Sequence, residues 1–189
     1  MLFRSIGNQP TATNDVSATA GVTYVAINNA HALFGDASQR LVAQVMTGAM
    51  YHKLVGQNLA NAERLFQFSG VQVVDILGKA VIITDAPALY EAGTPNKQKV
   101  LSLADGAAVV MDGSDLITNI ETSNGKERIE TTMQADYTFG LGLKGFTWDV
   151  ANGGKSPTNA ELSTGTNWDL VANSIKASAG VLTIGDATK

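Results

Sequence analysis

The 189-residue chain has no cysteine and two histidines, which excludes a disulfide framework and leaves too few ligands for a typical zinc site. Its net charge is −4 and its 13 basic residues are scattered, which argues against the concentrated positive face of a duplex-binding protein. Charged residues make up 16% of the chain, against about 25% in an average soluble domain, which suits burial against neighbouring subunits or an ordinary weakly charged monomer.

The longest apolar runs, such as residues 80–83 and 107–111, fall far short of the roughly 20 residues that span a bilayer. The amino terminus also lacks the apolar stretch of a signal peptide. The sequence therefore predicts a soluble protein without a membrane partner.

Residues 1–23 are predicted to be an irregular leader, because they are rich in Gly, Pro, Ser, Thr and Asn and lack apolar periodicity. A short helix is predicted over residues 24–34, with Gly35 as its terminator. Further helical turns are predicted around residues 58–65.

Between these helices, Asp36 is predicted to cap a helix over residues 37–54, with Gln39 completing a capping box. Its apolar stripe follows the i, i+3, i+4, i+7 spacing at Val42, Val45, Met46 and Ala49. His52 would then lie at the end of the helix, where an imidazolium interacts favourably with the helix dipole.

The pattern then changes to strands. Short β-branched and apolar runs predict strands at residues 71–74, 80–84, 99–104 and 107–111. From Glu127 to Phe139 apolar and polar residues alternate, which predicts one long half-buried strand. Its predicted partner is 116–122, joined through a turn at Asn124-Gly125, because Asn-Gly is the strongest short hairpin signal. Such a long hairpin is too large to belong to a small globular core and would act as an extended structural element between neighbouring subunits.

In the last part of the chain, Thr166 or Asn167 is predicted to cap a short helix in which Trp168, Val171, Ala172 and Ile175 share a face. A final strand is predicted at residues 181–184. Trp148 and Trp168 suit either packing anchors or interface hot spots, because tryptophan is enriched at both.

No residue pattern predicts catalysis or a cofactor site. Gly153-Gly154-Lys155-Ser156 resembles the end of a phosphate-binding loop, but Asp149 stands where the first glycine is needed and Pro157 follows at once. The carboxylates of Asp85, Asp105, Asp112 and Asp115 near strand ends suit turn and cap roles. The sequence contains no Gly-x-Ser-x-Gly turn that could activate a serine.

Several segments, in order, resemble the major capsid proteins of tailed bacteriophages over roughly residues 24–185. The resemblance rests on these sequences: Phe34-Gly35-Asp36 with the 41–54 segment, Leu77-Gly78-Lys79-Ala80-Val81-Ile82-Ile83-Thr84-Asp85, Gly106-Ala107-Ala108, Gly145-Phe146-Thr147-Trp148, Asn152-Gly153-Gly154-Lys155-Ser156-Pro157-Thr158 and Thr164-Gly165-Thr166-Asn167-Trp168-Asp169.

The resemblance implies an α+β fold with a leader at 1–23, an axial-type α/β domain at 24–115, a peripheral-domain hairpin at 116–150 and a carboxy-terminal segment with a short helix at 151–189. It also implies homo-oligomerisation into pentamers and hexamers of an icosahedral shell, assembly in the host bacterial cytoplasm, non-specific contact with packaged DNA, and no small-molecule substrate, metal or cofactor.

Family members carry an amino-terminal arm, an extended loop and a spine helix before the axial domain, and about 23 residues precede the match here. The expectation is a truncated reading frame, with residues 1–5 resembling a translated sequencing adapter. Two alternatives remain: an encapsulin-type cellular compartment with the same fold, and a small α/β enzyme that would rely on Asp85, Lys155 and His52.

Overall fold

The computed structural model describes residues 2–65, 78–124 and 127–189, and it divides into two compact units. The larger unit, called the body, consists of Met1–Ala107 and Leu143–Lys189. The smaller unit, called the ribbon, is Ala108–Gly142. The ribbon thus begins and ends earlier than the predicted hairpin domain at 116–150, and residues 151–189 return to the body.

The body is built on a mixed sheet. Its strands are β1 (Thr13–Asp15), β2 (Leu41–Met46), β3 (Ala80–Ile83), β4 (Tyr90–Glu91), β5 (Lys97–Ala104) and, near the end of the chain, β12 (Gly180–Asp186). The order is β1-β12-β5-β2-β3, with β4 also paired to β5. β12 is antiparallel to β5 over seven residue pairs, whereas the β1–β12 and β2–β3 pairs are parallel.

Helices and short pairs of strands complete the described chain. The α-helices are α1 (Leu2–Gly7), α2 (Tyr24–Ala32), α3 (Gly48–Leu65), α4 (Val150–Gly153) and α5 (Asn159–Ser163). The remaining strands are β6 (Ala108–Asp112), β7 (Ile117–Ser123), β8 (Glu130–Asp136), β9 (Phe139–Leu143), β10 (Phe146–Trp148) and β11 (Trp168–Leu170). Five 3-10 helices lie at Pro10–Ala12, Gly35–Arg40, Pro87–Leu89, Gly165–Asn167 and Ile175–Ala177. This mixture of helices and strands confirms the α+β prediction.

The core lies on both faces of the body sheet. On β5, Val100 packs with Met46, Met50 and Leu54 in one cluster. The next residue, Leu101, packs in another cluster, which also contains Ile6, Ala12, Leu182 and Ile184. Successive residues of a strand point to opposite faces, so α2 and α3 cover one side and the amino-terminal segment covers the other.

The helix predicted over 37–54 is wrong in its first half. Residues 41–46 form the strand β2, which pairs with β3 on one side and β5 on the other. Leu41 and Met46 are buried on this strand, and β-branched Val42 and Val45 favour a strand over a helix. Pairing on both edges decided between the two structures.

The capping box predicted at Asp36 and Gln39 is also wrong. Both residues lie in the 3-10 helix Gly35–Arg40, whose start has no side-chain cap. The helix begins at Gly48, where the Asp85 carboxylate accepts the Gly48 N–H at 3.1 Å and the Thr47 hydroxyl accepts the Met50 N–H at 3.2 Å. His52 therefore lies exposed in the second turn of α3 and not at its end.

Residues 1–23 are not an irregular leader. They form α1, a 3-10 helix and β1, which adds to the sheet beside β12. Ser5, Ile6, Ala12 and Val22 are buried, each less than 3% exposed. These elements are too short to show a periodic pattern of apolar residues. Their structure depends on contact with β12, which lies far away in the sequence.

Other predicted elements are confirmed. They are the helix near 24–34, the helical turns at 58–65, and the strands near 80–84, 99–104, 107–111 and 181–184. The strand predicted at 71–74 lies outside the described residues. The helix predicted at Trp168 is wrong, because residues 168–170 form β11, paired antiparallel with β10.

Gln44 gives a test of the core. Its side chain is fully buried in the middle of β2, and neither amide atom has a hydrogen-bond partner among the residues that the structure describes. An unpaired buried polar group costs roughly 1–3 kcal/mol. We expect Gln44→Met, which keeps the length of the side chain, to raise the free energy of unfolding by about 1–3 kcal/mol in urea titrations.

Gln98→Met is the matched control for this experiment. Gln98 is also buried, but its amide donates to the Thr47 hydroxyl at 2.7 Å, so its loss should lower the stability. A loss of stability in both variants would contradict the assignment of Gln44 as unpaired.

Candidate assembly surface

The outer part of the ribbon is an antiparallel hairpin. β7 pairs with β8 over seven positions, from Ile117 opposite Asp136 to Ser123 opposite Glu130. The predicted pairing of 116–122 with the segment after 127 is thereby confirmed. Asn124 follows β7, whereas Gly125 of the predicted turn lies outside the described residues.

The predicted continuous strand from Glu127 to Phe139 is wrong. β8 ends at Asp136, and β9, which pairs with β6, begins at Phe139. The interruption places the four residues 113–116 opposite the two residues Tyr137 and Thr138. Unequal numbers of residues in two paired strands bend and twist a ribbon locally.

Asp115 stabilises the backbone at this interruption by accepting hydrogen bonds from Thr138. Its carboxylate accepts the Thr138 backbone N–H at 2.9 Å and also the Thr138 hydroxyl, and the Gly113 N–H donates to the Thr138 carbonyl at 3.0 Å. The hydroxyl and the backbone N–H of Thr138 lower the pKa of Asp115. The alternation of apolar and polar residues did not predict this break between β8 and β9. The residue types of Gly113-Ser114-Asp115 are those of a turn and could have indicated it.

The two faces of the hairpin differ in character. In the register, Ile120 lies opposite Met133, Thr118 opposite Ala135 and Thr122 opposite Thr131, and these pairs share one face. The other face carries the pairs Asn119–Gln134, Glu121–Thr132 and Ser123–Glu130, with Ile117–Asp136 at its end. The first face, called the apolar face, has no charged residue among these pairs.

None of the described residues of Ala108–Gly142 is buried. Among all described residues, ten of the eighteen exposed large hydrophobic side chains belong to this ribbon, including Ile120 at 65% and Met133 at 68% exposure. An isolated two-stranded hairpin is at best marginally stable in water. The described side chains of the ribbon are therefore largely exposed to water.

Charge is unevenly divided between the two units. The ribbon contains six acidic and two basic residues, a net charge of −4, which equals the net charge of the whole chain. The body therefore has no net charge.

Trp148 and Trp168 form a packed pair in the body. They are opposite one another in the β10–β11 pair, with ring centroids 4.9 Å apart and an interplanar angle of 67°. The Trp148 indole donates to the Gly154 carbonyl at 2.8 Å, and the Trp168 indole donates to the Leu162 carbonyl at 3.2 Å. A Cβ on Gly153 would lie 2.1 Å from the Trp148 ring, so the glycine permits this packing.

Three of the carboxylates considered for chemistry accept backbone hydrogen bonds. Asp85, Asp112 and Asp115 accept the backbone N–H groups of Gly48, Ser114 and Thr138, as expected for caps and turns. Lys155 follows the short helix α4, which Asp149 caps, so the Gly-Gly-Lys-Ser segment does not open into a phosphate-binding helix. Asp36, which was predicted to cap a helix, instead forms an ion pair with Lys176.

A groove of about 580 Å³ crosses the body beside β5 and β1. Its charged side chains face one another, since Lys97 pairs with Asp15 at 3.3 Å and Lys99 with Glu91 at 2.7 Å. Asp85, Lys155 and His52 do not line it. No three metal-binding side chains come together in the described parts of the chain, and no helix there is long and apolar enough to span a membrane.

His31 is a buried titratable group that sequence reasoning did not assign. It lies in α2, is 7% exposed, and its Nε2 is 2.9 Å from the Ser102 hydroxyl on β5. Burial, together with the charge of Lys79, lowers the pKa of His31. His31 therefore joins α2 to the sheet in its neutral form.

Together these features define a body built on an open mixed sheet and a ribbon whose exposed apolar side chains are typical of a surface that binds other protein chains. Comparison with known families agrees with this class: residues 2–182 match the family described as Major capsid protein 13-like, Gp13-like. The chain belongs to this phage major capsid protein family, and its family role is structural. A comparison with curated proteins gives no match.

The role of Asp115 can be tested by amide exchange. We expect Asp115→Ala to speed exchange at the Thr138 amide and to increase proteolysis at residues 113–116, because the acceptor for that amide is lost. Glu121→Ala, an acidic residue within β7, is the matched control and should leave the Thr138 amide protected. Equal protection of Thr138 in the Asp115 variant would contradict the assignment.

His31 predicts a dependence of stability on pH. Its pKa is lowered below the ordinary 6.5 in the folded chain, so the unfolded chain binds more protons as the pH falls below that value. Stability should therefore fall between about pH 7 and pH 5, above the range where carboxylates titrate. His31→Asn should flatten this part of the urea-midpoint profile, whereas exposed His52→Asn should keep it; an unchanged slope in His31→Asn would disprove the linkage.

Proposed function

We propose that the chain is a structural subunit of an icosahedral tailed-phage capsid, self-associating into pentameric and hexameric capsomers that enclose the genome. In this proposal the body is the axial-type domain and the ribbon is the peripheral-domain hairpin. The subunit is assembled in the host bacterial cytoplasm and ends in the virion.

The observation that carries the proposal is the uncovered ribbon in a member of a capsid family. A 35-residue segment with no buried described residue exposes most of the large hydrophobic side chains that the described chain leaves in water. Large exposed apolar patches mark interaction surfaces in soluble proteins. Contact with other subunits would supply the missing layer.

We propose that contact with packaged DNA is non-specific and weak. The body has no net charge and the ribbon is acidic, so the net charge of neither unit attracts phosphate groups. The family match also favours a phage shell over an encapsulin-type compartment, since its description names a major capsid protein.

Sedimentation velocity over a wide concentration range tests the proposal. We expect species larger than the 19.7 kDa chain, with ring-shaped or closed particles in negative-stain images. Lys155→Ala, a change in a loop of the body, should assemble as the wild type does. A compact monomer at every concentration would refute the proposed function.

A further inference from the structure

We infer that the apolar face of the ribbon packs face to face against the same face of the ribbon of a second copy of this chain. The inference rests on the proposed function and identifies a contact that joins one capsomer to the next. The contact is isologous, because both copies contribute the same surface.

The packing surface is the uncharged face of the β7–β8 hairpin. Ile120 and Met133 lie directly opposite one another at its centre, and both side chains are about two-thirds exposed. The remaining paired positions of this face hold small neutral residues, which are Thr118, Thr122, Thr131 and Ala135. Covering this face removes no charge from water, whereas burying a charge is costly unless it finds a partner.

A second ribbon is the part of another copy that offers a matching surface. Ten of the eighteen exposed large hydrophobic side chains of the described chain lie within the ribbon. The other eight are divided among α2, β2, β3, β4, α4 and the segments that follow α2 and β11. The favourable free energy of burial grows with the apolar area removed from water, so the concentrated patch of one copy fits that of another.

The acidic charge of the ribbon does not oppose this contact. The three carboxylates within β7 and β8 belong to Glu121, Glu130 and Asp136, which all lie on the opposite face of the hairpin. Two sheets that pack face to face lie about 10 Å apart, so the carboxylates of the two copies are separated by more than that distance. Exposed charges farther apart than the Debye length, about 8 Å at physiological ionic strength, are largely screened.

Symmetry places this contact between capsomers. In an isologous contact each ribbon is used once, so copies are joined two by two. A pentamer has an odd number of copies, and such pairs cannot close its ring. The ribbons therefore join copies that belong to different capsomers, while a different, heterologous contact closes the ring.

The size of the ribbon face agrees with a contact that acts only within an assembly. Seven residues per strand at about 3.3 Å, and two strands about 4.8 Å apart, give a face of roughly 220 Å². A stable isolated pair takes about 800 Å² from each partner. One ribbon contact is therefore too weak to hold two free chains together, but each capsomer presents several ribbons at once, and their contacts add.

The double variant Ile120→Ser, Met133→Ser tests the role of the apolar face. We expect it to form ring-shaped capsomers at concentrations within about twofold of the wild type. The concentration needed for closed particles should rise at least about tenfold, because the apolar pair is lost. Sedimentation velocity and negative-stain images distinguish rings from closed particles. Loss of the rings, or closed particles at wild-type concentrations, would contradict the inference.

The double variant Asn119→Ser, Gln134→Ser is the matched control, since this pair is adjacent to the apolar pair and lies on the opposite face. It should form closed particles at concentrations within about twofold of the wild type. A tenfold loss in this variant would mean that the polar face packs, and the inference would be wrong. Circular dichroism and urea midpoints of both double variants verify that the body is folded.

A photoreactive benzoylphenylalanine in place of Ile120 identifies the surface that covers the apolar face. In particles assembled from a mixture of ¹⁵N-labelled and unlabelled chains, we expect cross-links between copies that fall within residues 117–123 or 130–136. The same group in place of Asn119 should give no cross-link between ribbons. Cross-links from position 120 to the body of another copy, or only within one chain, would overturn the inference.

The two proposals fail in different ways. If the wild type forms closed particles and both double variants match it, the ribbon contact is wrong while the shell function stands. If the wild type stays monomeric at every concentration, the proposed function itself is wrong.

Discussion

A two-stranded ribbon is a single layer and cannot bury an apolar face within itself. Ile120 and Met133 lie opposite one another on β7 and β8, yet each remains about two-thirds exposed. Apolar side chains that are held in water become more stable when another surface covers them. This constraint connects the local pattern of the ribbon with the role of a subunit in a larger assembly.

The sheet of the body is assembled from segments on both sides of the ribbon in the sequence. β5 ends just before the ribbon begins, and β12, its antiparallel neighbour over seven pairs, lies after the ribbon in sequence. Every residue of β12 is buried. The two central strands of the sheet therefore come from opposite sides of the ribbon in the chain, and the core must form from segments distant in sequence.

Within the body, several groups that could have suggested chemistry take part in internal contacts. Asp85 caps α3, the two tryptophans pack on one another, and the charged residues of the groove beside β5 pair among themselves. Their hydrogen-bonding capacity is used internally. Ten of the eighteen exposed large hydrophobic side chains of the described chain lie in the ribbon, which suits binding between subunits.

Elements whose signal is local could be predicted from the sequence. The alternation in 129–136 marked the hairpin, the short helix predicted at 24–34 corresponds to α2, and the β-branched run at 80–83 marked β3. The family resemblance, carried by short motifs in order, also came from the sequence, and the family match confirms it. Each of these depends on residues close together in the chain.

Only the tertiary structure decided the rest, because it depends on partners far away in sequence. Residues 41–46 are a strand since β3 and β5 pair with them, and Thr13–Asp15 is ordered because β12 lies beside it. The break in the ribbon depends on the hydrogen bond from the Thr138 N–H to the Asp115 carboxylate, between residues that lie 23 positions apart. The sequence by itself determined that one side of the hairpin is apolar; that this side is exposed follows only from the folded chain, where no described element covers it.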